Sequence, residues 1–306
     1  MRILLTGANG QFGTSFQKLT NNIFDSSKDQ LILLTRKDLD LIDENACRRT
    51  IEDINPDLII NAAAYTAVDR AEIEPEIAYA INAKAPLIFA EVLLKTGGKL
   101  IQFSSDFVFD GKSEIPYKPN DNIHPLNIYG STKALCERSL LSLLGESNQV
   151  VVLRSSWIFG PYGNNFLKII LKLLNSSNDL RVIDNQIGSP TSSISLAKAC
   201  IRLIQVIKEG EEIPSILHLT DFGIASWYEL AVYISQRGKK LGFFSDPAKI
   251  IPIKDTEYSS AKAIRPSYSV LDSSLTKKIL NLDPISWKDS LNEALTIILS
   301  QKINYE

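Results

Sequence analysis

The first half of the chain alternates short stretches that are apolar at every position with longer segments whose apolar residues recur every three or four positions. Unbroken apolar runs bounded by turn residues predict strands covered on both faces, and the longer period predicts helices. On this reading strands occupy residues 2–6, 30–35, 58–61, 99–104 and 149–155, and helices occupy 13–19, 45–54, 76–96 and 128–144. Asn55-Pro56 stops the second helix and Gly97-Gly98 stops the third. Proline cannot continue a helix, and glycine accepts the left-handed conformation that ends one. Strands each followed by a helix predict an α/β fold, a doubly wound parallel sheet of Rossmann type with helices on both faces.

After about residue 155 the rhythm changes. Helical patterns occupy 164–175, 193–208, 226–237 with Ser226 as N-cap, and 287–299; strands are predicted at 180–184 and 217–220. The stretch 242–269 reads as loop, interrupted by Pro247, Pro252 and Pro266. There is no internal repeat and no low-complexity segment. The expected organisation is a dinucleotide-binding domain over 1–155, with a segment at about 180–220 returning to it. A smaller, irregular substrate lobe, partly interleaved, covers 156–306.

Composition narrows the field. The chain has 306 residues, 44% of them hydrophobic and 22% charged, with net charge −2. That is ordinary for a globular protein and offers no basic surplus for nucleic acid. No unbroken apolar run approaches ~18 residues, so no membrane span is expected. Met1-Arg2-Ile3-Leu4-Leu5-Thr6-Gly7 reads as a buried strand entering a turn, not as a signal peptide. Cys47, Cys136 and Cys200 are scattered and odd in number, as expected for reduced thiols in a cytoplasmic protein. The two histidines, His124 and His218, have no metal-ligand spacing, which argues against a zinc site or a Ser-His-Asp triad.

Two motifs carry chemistry. Gly7, Gly10 and Gly13 follow a predicted strand and open a helix, in Thr6-Gly7-Ala8-Asn9-Gly10-Gln11-Phe12-Gly13. Gly7 permits the tight turn, Gly10 lets backbone approach a pyrophosphate, and Gly13 lets the helix pack close to the sheet. The helix N-terminus offers free N–H groups to phosphates. After the second strand, Arg36 and Lys37 suit a 2′-phosphate and so lean toward NADP(H), although a solvated basic pair reads the same way; Asp40 and Leu41 would wall the adenine. The second motif is Tyr129 and Lys133, four apart on a predicted helix and therefore on one face. A phenol with an ordinary pKa of ~10 exchanges protons poorly at neutral pH, and a nearby ammonium would lower it. A second hydroxyl, to orient a carbonyl, comes from the preceding strand end, Ser105, or failing that Ser104.

These residues resemble the extended short-chain dehydrogenase/reductase family, and within it the reductases that act on dTDP-4-dehydrorhamnose. The resemblance spans nearly the whole chain. It is carried by the glycine loop, 61–72 (beginning Asn61-Ala62-Ala63-Ala64), Ser104-Ser105-Asp106-Phe107, 125–133, 153–157, 163–166, Gln186-Ile187-Gly188-Ser189-Pro190-Thr191 and Arg265-Pro266. It implies reduction of the 4-keto group of dTDP-4-dehydro-L-rhamnose, or a close nucleotide sugar, by NADPH or NADH. Ser105, Tyr129 and Lys133 would form the catalytic set. The cofactor would contact Gly7, Asn9, Gly10, Gln11, Phe12, Gly13, Ala62, Ala63, Ala64 and Thr66, with Asn82 steadying that region. Val68, Asp106, Phe107 and Trp157 would line the sugar pocket, and Arg265 would meet the diphosphate. Three departures stand out: Ser105 replaces the usual Thr, Phe107 replaces the usual Tyr, and Ser15 stands where some members place a metal-binding Glu at a dimer interface. No metal is therefore expected, nor the dimer it bridges, although another homodimer stays open. Two alternatives also stay open: a sugar-nucleotide epimerase or dehydratase, and a non-catalytic subunit like the regulatory subunit of methionine adenosyltransferase.

Overall fold

The computed structural model describes residues 1–20, 29–176, 179–258 and 261–302. Residues 259–260 of the expected loop and the last four of the expected lobe lie outside the described residues. The principal strands, in chain order, are β1 (Arg2–Thr6), β2 (Gln30–Leu34), β3 (Leu58–Asn61), β4 (Lys99–Ser105), β5 (Val150–Ser155), β6 (Asp179–Ile183), β7 (Ile216–His218) and β8 (Lys249–Ile253). The principal helices are α1 (Gln11–Thr20), α2 (Glu44–Ile54), α3 (Pro75–Thr96), α4 (Ile128–Leu144), α5 (Phe166–Ser176), α6 (Ser193–Lys208), α7 (Trp227–Leu241) and α8 (Trp287–Ser300).

Six strands form one parallel sheet in the order β7-β5-β4-β3-β1-β2. Alternation along β1 divides its side chains between two cores. Ile3 and Leu5 face Phe12 and Phe16 of α1 and Leu203 and Ile204 of α6, whereas Leu4 faces Ile51, Phe89 and Leu140 of α2, α3 and α4. Burying each such side chain contributes about 1.5–3 kcal/mol. The doubly wound parallel sheet expected from the apolar pattern is therefore present. The chain winds outward to β2 on one side of β1 and to β3 on the other. This reversal opens a crevice at the carboxyl ends of β1 and β3, the place where such sheets take ligands.

The helix expected over 76–96 is not uniform. Its backbone runs from an α-turn at Pro75–Tyr79 through a π-turn at Ala80–Lys84 into Ala85–Thr96, and it stops where Gly97, at φ +82°, returns its N–H to the Leu93 carbonyl. By length and mean hydropathy (1.5) Pro75–Thr96 is apolar enough to cross a bilayer, yet 56% of its apolar window is buried inside the fold. Ile88, Phe89, Val92 and Leu93 are spent on the core beneath the sheet.

The second lobe has its own core, built from Phe159, Leu167, Leu171, Leu230, Ile234, Trp287, Leu291 and Leu295. Ser226 caps α7 in a reciprocal box with Glu229. Two expectations need correction here. β6 does not return to the large sheet; it pairs in parallel with β8, whereas α6 and β7 do pack on or join that sheet. β8 itself lies inside the stretch read as loop, because Pro252 marks it as a non-strand; a proline is tolerated in this strand because, among the described residues, β8 has a neighbour on one side only.

Candidate active site

At the end of β1 the chain turns at Gly7 with φ +67°, a conformation that a side chain rarely adopts. A Cβ at Gly7 would lie 2.8 Å from the Ala63 nitrogen, so the turn is pressed against the segment leaving β3. At Gly13 a Cβ would lie 2.4 Å from the Gly7 oxygen and 2.6 Å from the Ala8 oxygen. Gly13 thus lets the first turn of α1 close onto the loop's own carbonyls, where the sequence pattern suggested contact with the sheet. At Gly10 the nearest atom to an added Cβ is the Gly7 oxygen at 3.2 Å, which leaves its outer side bare.

Above this loop lies a cleft of about 690 Å³. Of the residues expected to hold a dinucleotide, Gly7, Asn9, Gly10, Gln11, Phe12, Gly13, Arg36, Asp40, Leu41, Ala62, Ala63, Ala64, Thr66, Tyr129 and Lys133 line it, and Lys37 does not. The glycine cradle, the N-terminus of α1 and a buried Gln11 Oε1 without a hydrogen-bond partner fit a nicotinamide dinucleotide. Arg36 stands at the rim, 76% exposed and 3.9 Å from Asp40. The π-turn aims Asn82 at the strand-end loop. Its Oδ1 accepts from the Tyr65 N–H at 2.9 Å, and its Nδ2 donates to the Tyr65 carbonyl at 3.0 Å and to Thr132 Oγ1 at 3.1 Å.

The residues expected to carry the chemistry gather around α4. Asn127 caps α4, accepting from the Gly130 N–H at 2.7 Å. A Cβ at Gly130 would lie 2.2 Å from the Phe107 oxygen, so only glycine lets α4 press against the turn 106–108 that follows β4. That approach brings Tyr129 to Ser105. The Phe107 ring meets the Tyr129 ring edge-on with centroids 5.5 Å apart, and Val68 packs into the same cluster. The Ser105 hydroxyl donates to Asp106 Oδ1 at 2.9 Å and accepts from the Phe107 N–H at 3.2 Å. Ser104, the fallback, lines the cleft, which Ser105 does not, but its hydroxyl donates to Glu137, which is paired with buried Arg154.

Burial pushes the Tyr129 phenol up to about 12; the Ser105 hydrogen bond opposes this and the Asp106 charge adds to it. The expected lowering by Lys133 is therefore not what this arrangement produces. The Lys133 ammonium lies 6.0 Å from the phenol ring centroid and donates to the Phe103 carbonyl at 3.2 Å, and burial depresses its own pKa. Burial also raises Asp106 to about 6, against hydrogen bonds from Ser269 and Ser105.

Trp157 and Arg265 are not among the residues that line the cleft. The Trp157 ring stacks on Trp227 with centroids 3.6 Å apart and planes 6° off parallel, and a Cβ at Gly188 would lie 2.5 Å from its Cε2. Its backbone is left-handed, at φ +46°. Arg265 is paired with Asp69, Nη2 to Oδ2 at 2.6 Å. Part of the cleft wall went unassigned in the sequence: Ile81, Phe103, Ile158, Gly163 and Asn164 line it too. Gly163, at φ +66° and with a would-be Cβ 3.2 Å from Gln11, carried a readable signal.

Comparison with known proteins agrees with this geometry. The family model described as the RmlD substrate binding domain matches residues 1–300. The chain is 36% identical to the dTDP-4-dehydrorhamnose reductase of Aggregatibacter actinomycetemcomitans over 95% of this chain and 97% of that one. A crystal structure of a dTDP-4-dehydrorhamnose reductase from Clostridium acetobutylicum superposes with a TM-score of 0.86 at 33% identity, covering 98% of this chain and all (100%) of the other. The reductase from Bacillus anthracis, solved in complex with NADP, gives 0.85 at 30% identity, covering 96% and 98%. With a profile match along almost its full length and relatives above 30% identity, the chain belongs to the RmlD family, that of the dTDP-4-dehydrorhamnose reductases.

Proposed function

We propose that this chain reduces the 4-keto group of dTDP-4-dehydro-L-rhamnose to give dTDP-L-rhamnose, with NADPH or NADH as reductant. The observation that carries the reading is the buried Tyr129 phenol, in a glycine-floored cleft that Lys133 also lines and with Ser105 hydrogen-bonded to it. The names of the relatives support the substrate, and the NADP held by the Bacillus anthracis reductase supports the cofactor.

When bound, the reduced nicotinamide supplies the hydride that adds to C4. Tyr129 gives its proton to the carbonyl oxygen as negative charge collects there. A phenol held at about 12 keeps its proton at neutral pH, so the donor is loaded before each turnover. An alkoxide is more basic than a phenolate, so the transfer still runs downhill. The Ser105 hydroxyl, whose proton rests on Asp106, turns that proton to the substrate carbonyl oxygen to orient it, and the Lys133 ammonium compensates the phenolate left behind and holds a ribose hydroxyl. Gly7, Gly10, Gly13, Ala62, Ala63, Ala64 and Thr66 hold the dinucleotide, and Arg36 favours a 2′-phosphate. Val68, Asp106, Phe107 and Trp157 surround the sugar and Arg265 meets the diphosphate. Elimination in related dehydratases uses two consecutive carboxyl groups after the hydroxyl residue, whereas here Phe107 follows Asp106; this favours plain reduction. The division of labour follows the sheet: residues 1–155 with α6 and β7 serve the cofactor, and the second lobe serves the sugar nucleotide.

The test is to follow NADPH absorbance with the purified protein, dTDP-4-dehydro-6-deoxyhexose and its epimerase, and to identify the sugar formed. Stoichiometric NADPH consumption with dTDP-L-rhamnose as product is expected. A protein that oxidises no NADPH with any dTDP-4-keto sugar, yet co-purifies with a methionine adenosyltransferase, would be a regulatory subunit instead.

A further inference from the structure

Asp69 receives more hydrogen bonds than a surface carboxylate needs. Its Oδ2 accepts from Arg265 Nη2 at 2.6 Å, and its Oδ1 accepts from Arg265 Nη1 at 3.3 Å and from the backbone N–H groups of Lys262 and Ala263 at 2.8 and 3.0 Å. Arg265 Nη1 also donates to the Ala263 carbonyl at 3.2 Å, so the loop and its own guanidinium are folded onto one carboxylate. Partial burial works to raise the Asp69 pKa, but the Arg265 bond and the two N–H groups outweigh it and hold the carboxyl at about 2. Asp69 is therefore charged throughout the working range.

The loop so fastened crosses the substrate end of the site. The Ile264 carbonyl accepts from Asn127 Nδ2 at 2.7 Å, and Asn127 is the cap of the helix that presents Tyr129. Further on, Ser267 Oγ donates to the Gly111 carbonyl at 3.0 Å, and a Cβ at Gly111 would lie 2.6 Å from the Pro266 Cα. On the other side, Asp69 follows Val68, which packs against the Tyr129 cluster. Residues 262–267 thus form a strap stitched to both sides of the Tyr129 pocket.

We propose that Asp69 is a positioning residue for substrate: it holds the strap down and fixes Arg265 so that the unspent N–H groups of the guanidinium meet the diphosphate of the sugar nucleotide. A guanidinium carries five N–H donors in a rigid fork, so two nitrogens engaged by a carboxylate leave others free. Fixing the cation in advance removes an ordering cost at binding. The proposal rests on the functional reading in one respect, that a nucleoside diphosphate binds here.

Two substitutions separate the strap from the cation. Asp69→Asn keeps an oxygen for the Lys262 and Ala263 N–H groups but turns an amide donor toward Arg265. Asp69→Ala removes both. The probes are thymidine diphosphate and thymidine, titrated calorimetrically, together with the rate of tryptic cleavage after Lys262. For Asp69→Asn, affinity for the diphosphate should fall by about ten- to a hundredfold, as when one partner of a charge-assisted bond is lost. Thymidine affinity and cleavage should stay at wild-type values. For Asp69→Ala, cleavage should also accelerate. If Asp69→Asn binds the diphosphate within about twofold of wild type, or loses both ligands equally, Asp69 has no positioning role. If wild type prefers the diphosphate to thymidine but turns over no 4-keto sugar, the reductase reading falls and this proposal survives. Turnover by a wild type with no such preference sinks this proposal and leaves the reductase reading.

Discussion

A phenol at about 12 is a poor base and a fully loaded acid, which suits reduction more than oxidation. Replacing Tyr129 by Phe should lower turnover by on the order of 10²–10⁴ while NADPH still binds, since the hydroxyl contributes to proton transfer and not to the cleft's shape. Steady-state kinetics with a fluorescence titration of NADPH would check both halves. The neighbouring Asp106 makes a thermodynamic prediction. Burial lifts its folded pKa from 3.8 to about 6, so between those values the native state keeps a proton that the unfolded chain has released. Its contribution is complete below pH 3.8 and fades as pH rises through about 6, by on the order of 3 kcal/mol at most. Urea denaturation across this window should show Asp106→Asn lacking that slope; parallel profiles would refute it. At this scale the sequence was most legible where one residue type alone could serve. Gly7, Gly10, Gly13, Tyr129 and Lys133 were picked from the sequence and share one cleft, whereas Ser105, preferred over Ser104 from the sequence, carries the same kind of bond as its rival: each hydroxyl donates to a carboxylate.

Among elements, α3 shows how a regular apolar pattern hides a backbone irregularity. Its apolar period reads as one helix, yet the π-turn at Ala80–Lys84 is what swings Asn82 toward Tyr65. π-turns of this kind tend to occur at functional positions. Asn82→Ala would strand the Tyr65 N–H and carbonyl and should cost about 1–3 kcal/mol, measured by chemical denaturation, with weakened NADPH binding in parallel. Strong caps were readable, as at Ser226 and Gly97. β8 was not, because Pro252 speaks against a strand unless its neighbours are known. The cleft wall from Ile158 to Asn164 was hidden for a similar reason: it reaches the glycine loop only through the packing of the two lobes.

Across the whole molecule, one buried charge pair joins parts distant in sequence. Arg154 on β5 and Glu137 on α4 are both almost fully buried and 2.7 Å apart. Arg154 also donates to the Pro119 carbonyl at 3.0 Å and contacts His218 Nε2 of β7 at 3.1 Å. Burial first, and the Arg154 charge second, hold that imidazole neutral with a pKa of about 3, so Nε2 accepts and Nδ1 donates to the Tyr117 carbonyl. Glu137→Gln would leave a buried guanidinium uncompensated and should cost about 3–5 kcal/mol in denaturant unfolding. A loss below about 1 kcal/mol would mean that the arginine finds water. The stack of Trp157 on Trp227 has a broader consequence. Because position 188 has no space for even a methyl group while the indole stays in place, the two positions are bound to vary together. Changing this wall calls for a paired exchange, a smaller ring at 157 with a larger group at 188, since either change alone leaves a hole or a collision.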